Sequence, residues 1–282
     1  DHRVFPVSDN SQTIIDCLVS EANNLGVVIQ KGVSITEIRQ NGNGFILTSN
    51  GREFYADKII IASGGSPKQT GFHWLEKLGH TIIPPVPSLF TFNMPEEPIK
   101  KLMGVVANPV SLKIKGIKAQ STGPLLITHW GMSGPAVLKL SCLCARELNA
   151  IAYTFEVVVS WLGDKSEQQI RDQMLTALED FCKRHVGNIN PFLLPNRLWL
   201  FLLEKNEIDF TIPWNELKKK SQNQLINMLL NDSYKVSGKT TFKEEFVTCG
   251  GVALDEISFD TMQSKICPGV YFAGEVLNID AV

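Results

Sequence analysis

Apolar residues near the start of the chain recur at helical spacing. They fall at positions 14, 15, 18, 19, 22 and 25, which is the spacing of one face of an amphipathic helix. Ser11 is suited to the N-cap position, and Gly26 is suited to ending the helix. The pattern therefore predicts a helix over residues 11–25.

Strand patterns follow this helix. The segments VVIQKGVSITEIRQ, GFILTSN and REFYADKIIIASGG are separated by Asn-Gly turn signals at residues 41–42 and 50–51, which predicts a β-meander. The continuous apolar run KIIIA indicates a return to a buried parallel strand. Because Ser63, Gly64 and Gly65 come directly after it, a ligand can approach the backbone at the carboxyl end of this strand.

The middle of the chain changes pattern twice. A short helical pattern, GFHWLEKLGH, leads to the prolines of TIIPPVPSLFTF, which do not suit a helix or a central strand and predict a domain crossing. Residues 88–160 are rich in strand patterns, with one predicted helix in SGPAVLKLSCLCARELN. Residues 163–230 are helical in pattern, and strands return after residue 232. The final apolar run, GVYFAGEV, indicates another buried strand.

These patterns predict a mixed α/β protein that is multidomain and α+β overall. An α/β unit at both ends of the chain is interrupted by a β-rich unit and a helical unit. The length of 282 residues and the 44% hydrophobic content are sufficient for a large core divided into two or three units.

Charge and cysteine spacing exclude several classes of function. The 27 basic and 29 acidic residues nearly cancel, so nothing favours a nucleic-acid or membrane-surface partner. No apolar run reaches the roughly 18 residues of a membrane span. The six cysteines form no C-x-x-C pair, which predicts reduced cysteines, no metal site and a cytoplasmic location.

Two short motifs indicate a cofactor site. KIIIASGG resembles the strand and turn that follow the β-meander in two-dinucleotide-binding flavoproteins. PGVYFAGEV resembles their later strand, in which a glycine and an acid follow an apolar run. Each motif alone also fits a core strand that ends in a tight turn. Their order along the chain favours a flavin site.

Six motifs occur in a fixed order along the chain. They are RVFPVSDNSQTIIDCL, ASGGSPKQTGFHWLEKLGH, THWGMSGPAVL, VTCGGVALDEI, TMQSK and PGVYFAGEVLNID. Together they resemble the aminoacetone oxidase-like family of bacterial flavoproteins, also described as NAD(FAD)-utilising dehydrogenases, over essentially the whole chain. The resemblance implies a partial Rossmann-type FAD-binding domain with inserted β-barrel-like and helical domains. The implied division is 1–86 for the FAD-binding domain, 87–162 for the inserted β-rich domain, 163–231 for the inserted helical domain, 232–262 for a return through the β-rich domain and 263–282 for a return to the FAD-binding domain.

The resemblance also implies segments that these 282 residues do not contain. A member of that family begins with a strand and a G-x-G-x-x-G turn, and it continues past GEVLNID with a Thr-Gly-Gly loop and a helix. We therefore expect the chain to be a fragment of a larger flavoprotein that is inactive alone and holds FAD weakly or not at all. The edges of KIIIA and VYFAG are then expected to favour self-association or local disorder.

The cofactor-binding residues that the resemblance implies act partly through their backbone. They are Val33, Ala62, Ser63, Gly64, Gly65, Gly274, Glu275 and Asn278. Val33 occupies the place of an adenine contact, although a valine of the meander core fits equally well. Glu275 occupies the place of a carboxylate that accepts a hydrogen bond from the ribityl chain. Asn278 stands where the family pattern has aspartate, and its amide accepts a hydrogen bond without carrying a charge.

His129 is the candidate catalytic residue. A histidine near a flavin can protonate a substrate or stabilise the charge of reduced flavin, although a histidine bonded to its own turn is the alternative. The nearby GMSGP does not match the G-x-S-x-G nucleophile motif, so Ser133 is predicted as an N-cap. Cys249 has no partner cysteine and is predicted as a small buried side chain. The other histidines, His80 among them, are predicted as surface or capping groups.

The predicted function is that of an FAD-dependent oxidoreductase. It would move a hydride between a small organic substrate and the flavin, with NAD(P)H or oxygen as the second partner. A non-catalytic binding or interaction module derived from a flavoprotein is the alternative. The expected partner is a small molecule, with neither nucleic acid nor membrane.

Overall fold

A computed structural model describes residues 4–240 and 247–279 of the chain and confirms the mixed α/β class. The described residues form two compact units, the first ending at Lys58 and the second beginning at Ile59. The helices are α1 Ser11–Asn24, α2 His73–Glu76, α3 Pro135–Leu143, α4 Ala145–Ala150, α5 Glu167–Asp180, α6 Asn196–Lys205 and α7 Lys219–Asn231. The domain boundaries at residues 86, 162, 231 and 262 stay a prediction.

The strands are numbered in chain order. They are β1 Glu37–Asn41, β2 Gly44–Ser49, β3 Arg52–Ala56, β4 Ile59–Ile61, β5 Ile82–Ser88, β6 Thr91–Asn93, β7 Val106–Ile114, β8 Gln120–Ile127, β9 Gly131–Ser133, β10 Thr154–Ser160, β11 Asp232–Ser237, β12 Lys239–Thr240, β13 Val247–Val252, β14 Ile257–Ser258, β15 Gln263–Ser264 and β16 Val270–Phe272.

The first unit contains α1 and the predicted meander. The cap of α1 is Asn10, whose Oδ1 accepts a hydrogen bond of 2.9 Å from the Gln12 amide, so the prediction of Ser11 as N-cap is wrong by one residue. Asn10 takes the cap position because its backbone is extended and its side chain reaches the free amide. Strands β1, β2 and β3 form an antiparallel sheet. Residues 27–36, predicted as part of the first strand, lie outside any strand.

The turn between β2 and β3 has the conformation that its sequence predicts. Asn50 and Gly51 both have positive φ, at 46° and 78°. Two successive left-handed residues make the tight turn whose twist matches that of the flanking strands, and Asn-Gly adopts it at little cost. The Asn-Gly signal at residues 50–51 therefore fixes the register of this hairpin.

A seven-stranded antiparallel sheet is the largest element of the second unit. Its order is β11-β10-β7-β8-β9-β6-β12. The first and last strands of this order, β11 and β12, are separated along the chain by Gly238 alone. The sheet therefore closes into a barrel, whose interior is filled by fully buried side chains such as Phe92, Leu112 and Leu125.

Helices α3 and α4 replace the single helix predicted between β9 and β10. They meet at Cys144, and α3 packs on β7 and β8. Ser133 is not the N-cap of α3, because it belongs to β9 and Gly134 occupies the cap position with φ of 95°. A Cβ atom on Gly134 would lie 2.9 Å from the Leu126 amide nitrogen, so the close approach to β8 requires glycine.

Helices α5, α6 and α7 share one continuous core with the barrel. Ser166 begins α5 with a capping box, in which its Oγ accepts from the Gln169 amide at 3.3 Å and Gln169 Oε1 accepts from the Ser166 amide at 2.8 Å. The buried Asp232 of β11 accepts a hydrogen bond of 2.6 Å from Lys205 of α6. This contact joins the helical segment to the barrel.

A two-stranded ribbon of β5 and β13 connects the barrel to the rest of the second unit. Pro84, Pro85 and Pro87 lie within β5, and the domain crossing expected at these prolines stays a prediction. They are tolerated there because β5 pairs with β13 alone among the strands of the described residues, and so few of its amides are needed as donors. Within the described residues, no helix is long and apolar enough to span a bilayer. A cytoplasmic location stays a prediction.

Candidate functional site

Strands β4 and β16 lie side by side and run parallel. Ile59 pairs with Val270 and Ile61 with Phe272, and the Ala273 amide donates to the Ile61 carbonyl oxygen at 2.9 Å. Phe272 and Ile61 are buried, which fixes both strands against the core. Because parallel strands end at the same edge of a sheet, the two motifs chosen from the sequence meet there.

Gly65 and Glu275 pack against each other at this edge. A Cβ atom on Gly65 would lie 3.6 Å from the Glu275 carbonyl oxygen and only 2.7 Å from the Thr248 hydroxyl oxygen. Any side chain at position 65 would therefore displace Thr248, which is buried. We call residues 62–65, Thr248 and residues 274–278 the strand-end site.

The backbone of the strand-end site is open to a ligand at two glycines. Gly64 and Gly274 have φ of 74° and 77°, in the left-handed region that side chains disfavour. No described atom lies within 4 Å of the Cβ position of either glycine. Ala62 and Ser63 are exposed. The site therefore offers main chain rather than side chains along one edge.

Glu275 lies on a short turn that buried neighbours hold in place. A 3-10 helix spans Gly274–Val276, and the Leu277 amide donates to the Gly274 carbonyl oxygen at 3.2 Å. Val276 and Leu277 are fully buried, while Glu275 is half-exposed. The turn thus presents one carboxylate at the carboxyl end of β16.

The glycines of VTCGGV make room for this turn. Gly251 has φ of 125°, and a Cβ atom on it would collide with the Val276 carbonyl oxygen. The Asn278 amide donates to the Val252 carbonyl oxygen at 2.9 Å, which ties the end of the turn to β13. Cys249 is buried, which confirms the prediction of a small buried side chain. Paired glycines inside a strand were the available sequence signal for this close approach.

Asn278 is paired with an arginine that sequence reasoning missed. Arg146 of α4 donates from Nη2 to Asn278 Oδ1 at 2.8 Å. The two residues are 132 positions apart, so no local pattern relates them. The side chain of Asn278 is therefore directed to Arg146, and its role as a cofactor ligand stays a prediction. Asp280 and the last two residues of the chain lie outside the described residues.

His129 lies in the barrel, in the turn between β8 and β9. Its ring meets the Trp130 ring edge-on at a centroid distance of 4.3 Å, and the side chain is exposed. The turn is closed by a hydrogen bond of 2.8 Å from the Thr128 amide to the Gly131 carbonyl oxygen. The recorded ring contact of His129 is thus with the barrel rather than with Gly65 or Glu275, and its catalytic role stays a prediction.

Val33 lies in the first unit, in the segment that precedes β1. Its side chain is 39% exposed, so it is not a buried valine of the meander core. It borders an open cavity of about 880 Å³ within that unit. The other residues around this cavity are Gln30, Lys31, Gly32, Ser49, Asn50, Arg52, Glu53 and Phe54. The adenine contact assigned to Val33 stays a prediction.

His80 is buried, so its prediction as a surface or capping group is wrong. Its Nδ1 lies 3.0 Å from Glu256 Oε2, and its Nε2 lies 3.1 Å from Ser264 Oγ. Ser264 Oγ also accepts hydrogen bonds from the amides of Ile266 and Cys267. Because both lone pairs of the hydroxyl oxygen are thereby used, its proton points to His80 Nε2, and His80 Nδ1–H donates to Glu256.

Ser264, His80 and Glu256 are hydrogen-bonded in the same order and direction as the serine, histidine and acid of a hydrolytic triad. They do not suit nucleophilic catalysis, however. Ser264 is buried, and its oxygen has no free lone pair for attack on a substrate. The ring of His80 instead meets the Phe272 ring edge-on, at a centroid distance of 5.0 Å. Phe272 is the last residue of β16 and lies two positions before Gly274 of the strand-end site. The network therefore supports β16. The partners of His80 are 176 and 184 positions away along the chain, so no local pattern could predict this network.

The Glu256 carboxylate has a lowered pKa. Its partial burial alone would raise the pKa, but hydrogen bonds from Thr81 and His80 outweigh this cost and keep the carboxylate ionised. Within the described residues, no group of three or more His, Cys, Asp or Glu side chains could hold a metal ion.

Comparison with known protein families identifies the family of this chain. The family described as HI0933-like protein barrel and H2TH domain matches residues 86–247, which is more than half of the chain. The chain therefore belongs to the HI0933-like family. This agrees with the closed barrel and the helical segment seen in the fold.

Three curated relatives align with nearly the whole chain. A 3-dehydro-bile acid delta(4,6)-reductase of Clostridium scindens is 27% identical over 99% of this chain and 70% of that protein. A ribosomal RNA dihydrouridine synthase of Escherichia coli is 27% identical over 96% of this chain and 67% of that protein. The ribosomal RNA dihydrouridine synthase of Haemophilus influenzae is 28% identical over the same shares, 96% and 67%.

Proposed function

We propose that the chain is part of a flavin-dependent oxidoreductase and that the strand-end site holds part of an FAD molecule. The packing of Gly65 against Glu275 at the ends of two parallel strands carries this proposal. The names of the relatives support it, because a delta(4,6)-reductase and a dihydrouridine synthase both describe hydrogen addition to a double bond.

The residues of the strand-end site fit a dinucleotide. Gly64 and Gly274 leave the backbone open where a sugar-phosphate chain would pass. Glu275 is a half-exposed carboxylate on a fixed turn, and it is suited to accepting a charge-assisted hydrogen bond from a ribityl hydroxyl. In the first unit, Val33 is proposed to contact the adenine through its backbone. Bound FAD would supply the atom that accepts and donates the hydride.

The remaining residues would position the site and handle protons. The close approach of Gly251 to Val276 and the hydrogen bond from the Asn278 amide to Val252 hold the Glu275 turn against β13, so the carboxylate needs little reorganisation when a ligand binds. The buried His80 network fixes β16 from below. His129, exposed on the barrel, is proposed to donate a proton to the substrate.

The proposed substrate is a small organic molecule with a conjugated double bond, and NAD(P)H or oxygen completes the cycle. A ribosomal RNA uridine is the second candidate, because two relatives carry that name. Charge favours the small molecule: the chain has a formal net charge of −2, whereas an RNA-binding surface is basic. The helical segment, residues 163–231, contains as many acidic as basic residues.

An assay with both substrates distinguishes these candidates. The protein expressed from its complete native gene is incubated with FAD and NADPH and either a steroid enone or ribosomal RNA, and the products are measured by mass spectrometry. We expect FAD-dependent reduction of the enone, and Glu275→Gln should need about tenfold more FAD for the half-maximal rate. Glu179→Gln, a change at an exposed glutamate of α5, is the matched control.

The other outcomes of this assay contradict the proposal. Reduction of the RNA alone would establish the second candidate. Flavin binding without turnover of either substrate would indicate a non-catalytic module derived from a flavoprotein. Turnover that does not depend on FAD would exclude the flavin chemistry itself.

A further inference from the structure

Arg146 is an exposed arginine held by a fixed neutral partner. Its Nη2 donates to Asn278 Oδ1 at 2.8 Å. Asn278 is itself anchored, because its amide donates to Val252 and the preceding Leu277 is fully buried. One N–H group of the guanidinium is therefore positioned by the frame of the second unit, which restricts the freedom of this long side chain.

The charge of this guanidinium is not compensated by its partner. An amide oxygen accepts a hydrogen bond but carries no formal charge, and no ion pair to Arg146 is present in the part of the chain that the structure describes. A guanidinium has five N–H donors in a planar fork, so most of them remain available to a ligand. Such a fork matches the two oxygens of a carboxylate or phosphate.

The position of Arg146 places this fork beside the strand-end site. Asn278 directly follows the turn Gly274–Leu277, which carries Glu275. Arg146 itself belongs to α4, between barrel strands β9 and β10. It therefore approaches the proposed cofactor site from the barrel.

Resting on the proposed function, we propose that Arg146 binds an oxyanion group, carboxylate or phosphate, at the strand-end site. Asn278 is its positioning residue, because it orients the guanidinium without neutralising it. The oxyanion belongs either to the substrate or to the diphosphate of the cofactor, which share this chemistry. The site would thus select a ligand that carries a negative charge.

The test uses inorganic pyrophosphate as the probe and calorimetric titration of the protein expressed from its complete native gene, after removal of flavin. Arg146→Gln is expected to weaken pyrophosphate binding at least tenfold, because a charge-assisted pair is lost. Arg184→Gln, which removes an exposed arginine of the helical segment, is the control and should leave binding unchanged.

Asn278→Asp separates this role from a structural one. It keeps an acceptor for Arg146 but adds a negative charge, so pyrophosphate binding should weaken severalfold while the Tm does not fall. A purely structural contact predicts no loss of binding in this variant. Unchanged binding in Arg146→Gln or Asn278→Asp, or no binding by the unmodified protein, overturns the proposal.

The flavin content of the same proteins identifies the source of the oxyanion. If Arg146→Gln loses pyrophosphate binding but retains FAD on reconstitution, the oxyanion belongs to the substrate. If FAD affinity falls in parallel, the oxyanion is the cofactor diphosphate. Failure of the proposed function appears separately, as an unmodified protein that takes up no flavin.

Discussion

The close approach of Gly65 to Thr248 sets the geometry of the strand-end site. Gly65 lacks positive φ, so no turn requirement explains it. It is glycine because a Cβ atom would meet the Thr248 hydroxyl at 2.7 Å. The sequence indicated a glycine turn after KIIIA, but the partner of Gly65 lies far away along the chain and no local pattern could identify it.

Gly65→Ala should lower FAD affinity about tenfold, because the new methyl group pushes Thr248 and the Glu275 turn apart. FAD fluorescence titration of the native protein measures this. Thr248→Ala removes the atom that collides, so the double variant should lose less affinity than the sum of the two single variants. If the loss of FAD affinity in the double variant equals the sum of the losses in the two single variants, the two residues are not in contact.

Glu256 gives the His80 network a defined pH dependence. Its folded pKa lies below the ordinary range, so the stabilisation that it provides is present above the ordinary glutamate pKa and is lost as the pH falls through the folded pKa. Glu256→Gln should therefore destabilise the protein by about 1.5 kcal/mol near neutral pH. The difference in Tm from the unmodified protein should shrink below about pH 4.

Thermal unfolding between pH 3 and 7, at about half-unit steps, checks this expectation. Glu179→Gln, at an exposed position without a recorded partner, should follow the unmodified protein at every pH. If the Tm difference between Glu256→Gln and the unmodified protein stays constant down to pH 3, the lost stability does not come from an ionised carboxylate.

Elements were predictable where the signal is local. The Asn-Gly turn of the meander, the α5 periodicity and the buried runs of β4 and β16 all arise from residues close in sequence. The proline-rich strand β5 was not predictable, because its tolerance of proline depends on pairing with β13, its single neighbour within the described residues, which lies far away along the chain. The break between α3 and α4 at Cys144 likewise has no glycine or proline to mark it.

We propose that two copies of the chain can associate through the edge of β4. Within the described residues β4 pairs with β16 alone, and Ile60 is 73% exposed on it. Ile60→Lys should reduce association at high concentration, because a charged residue blocks edge pairing. Sedimentation velocity of the 282-residue chain at about 10 and 100 µM measures this association. For so short an edge we expect a dissociation constant above about 1 µM.

Val106→Lys is the control for this substitution, since Val106 is 51% exposed on β7, a barrel strand that does not pair with β4, where it pairs with Leu126 of β8. Equal association of the unmodified chain and Ile60→Lys would place the contact elsewhere. A monomeric unmodified chain at both concentrations would remove the proposal.

At the scale of the whole molecule, the order of unit types along the chain was predictable, but the way distant segments meet was not. Strand and helix periodicities indicated a β-rich unit followed by a helical one, and both are present. Closure of the barrel depends on β11 and β12 returning after the helical segment, a contact between residues far apart in sequence. Arg146–Asn278 and the His80 network belong to the same class of long-range contact.

We propose that Glu275 and its neighbours hold a flavin. The most direct measurement is an FAD titration of the protein expressed from its complete native gene, unmodified and as Glu275→Gln and Glu179→Gln. We expect FAD binding that is about tenfold weaker in Glu275→Gln, because a charge-assisted hydrogen bond is lost, and unchanged in Glu179→Gln. An unmodified protein that binds no FAD, or three proteins of equal affinity, would contradict it.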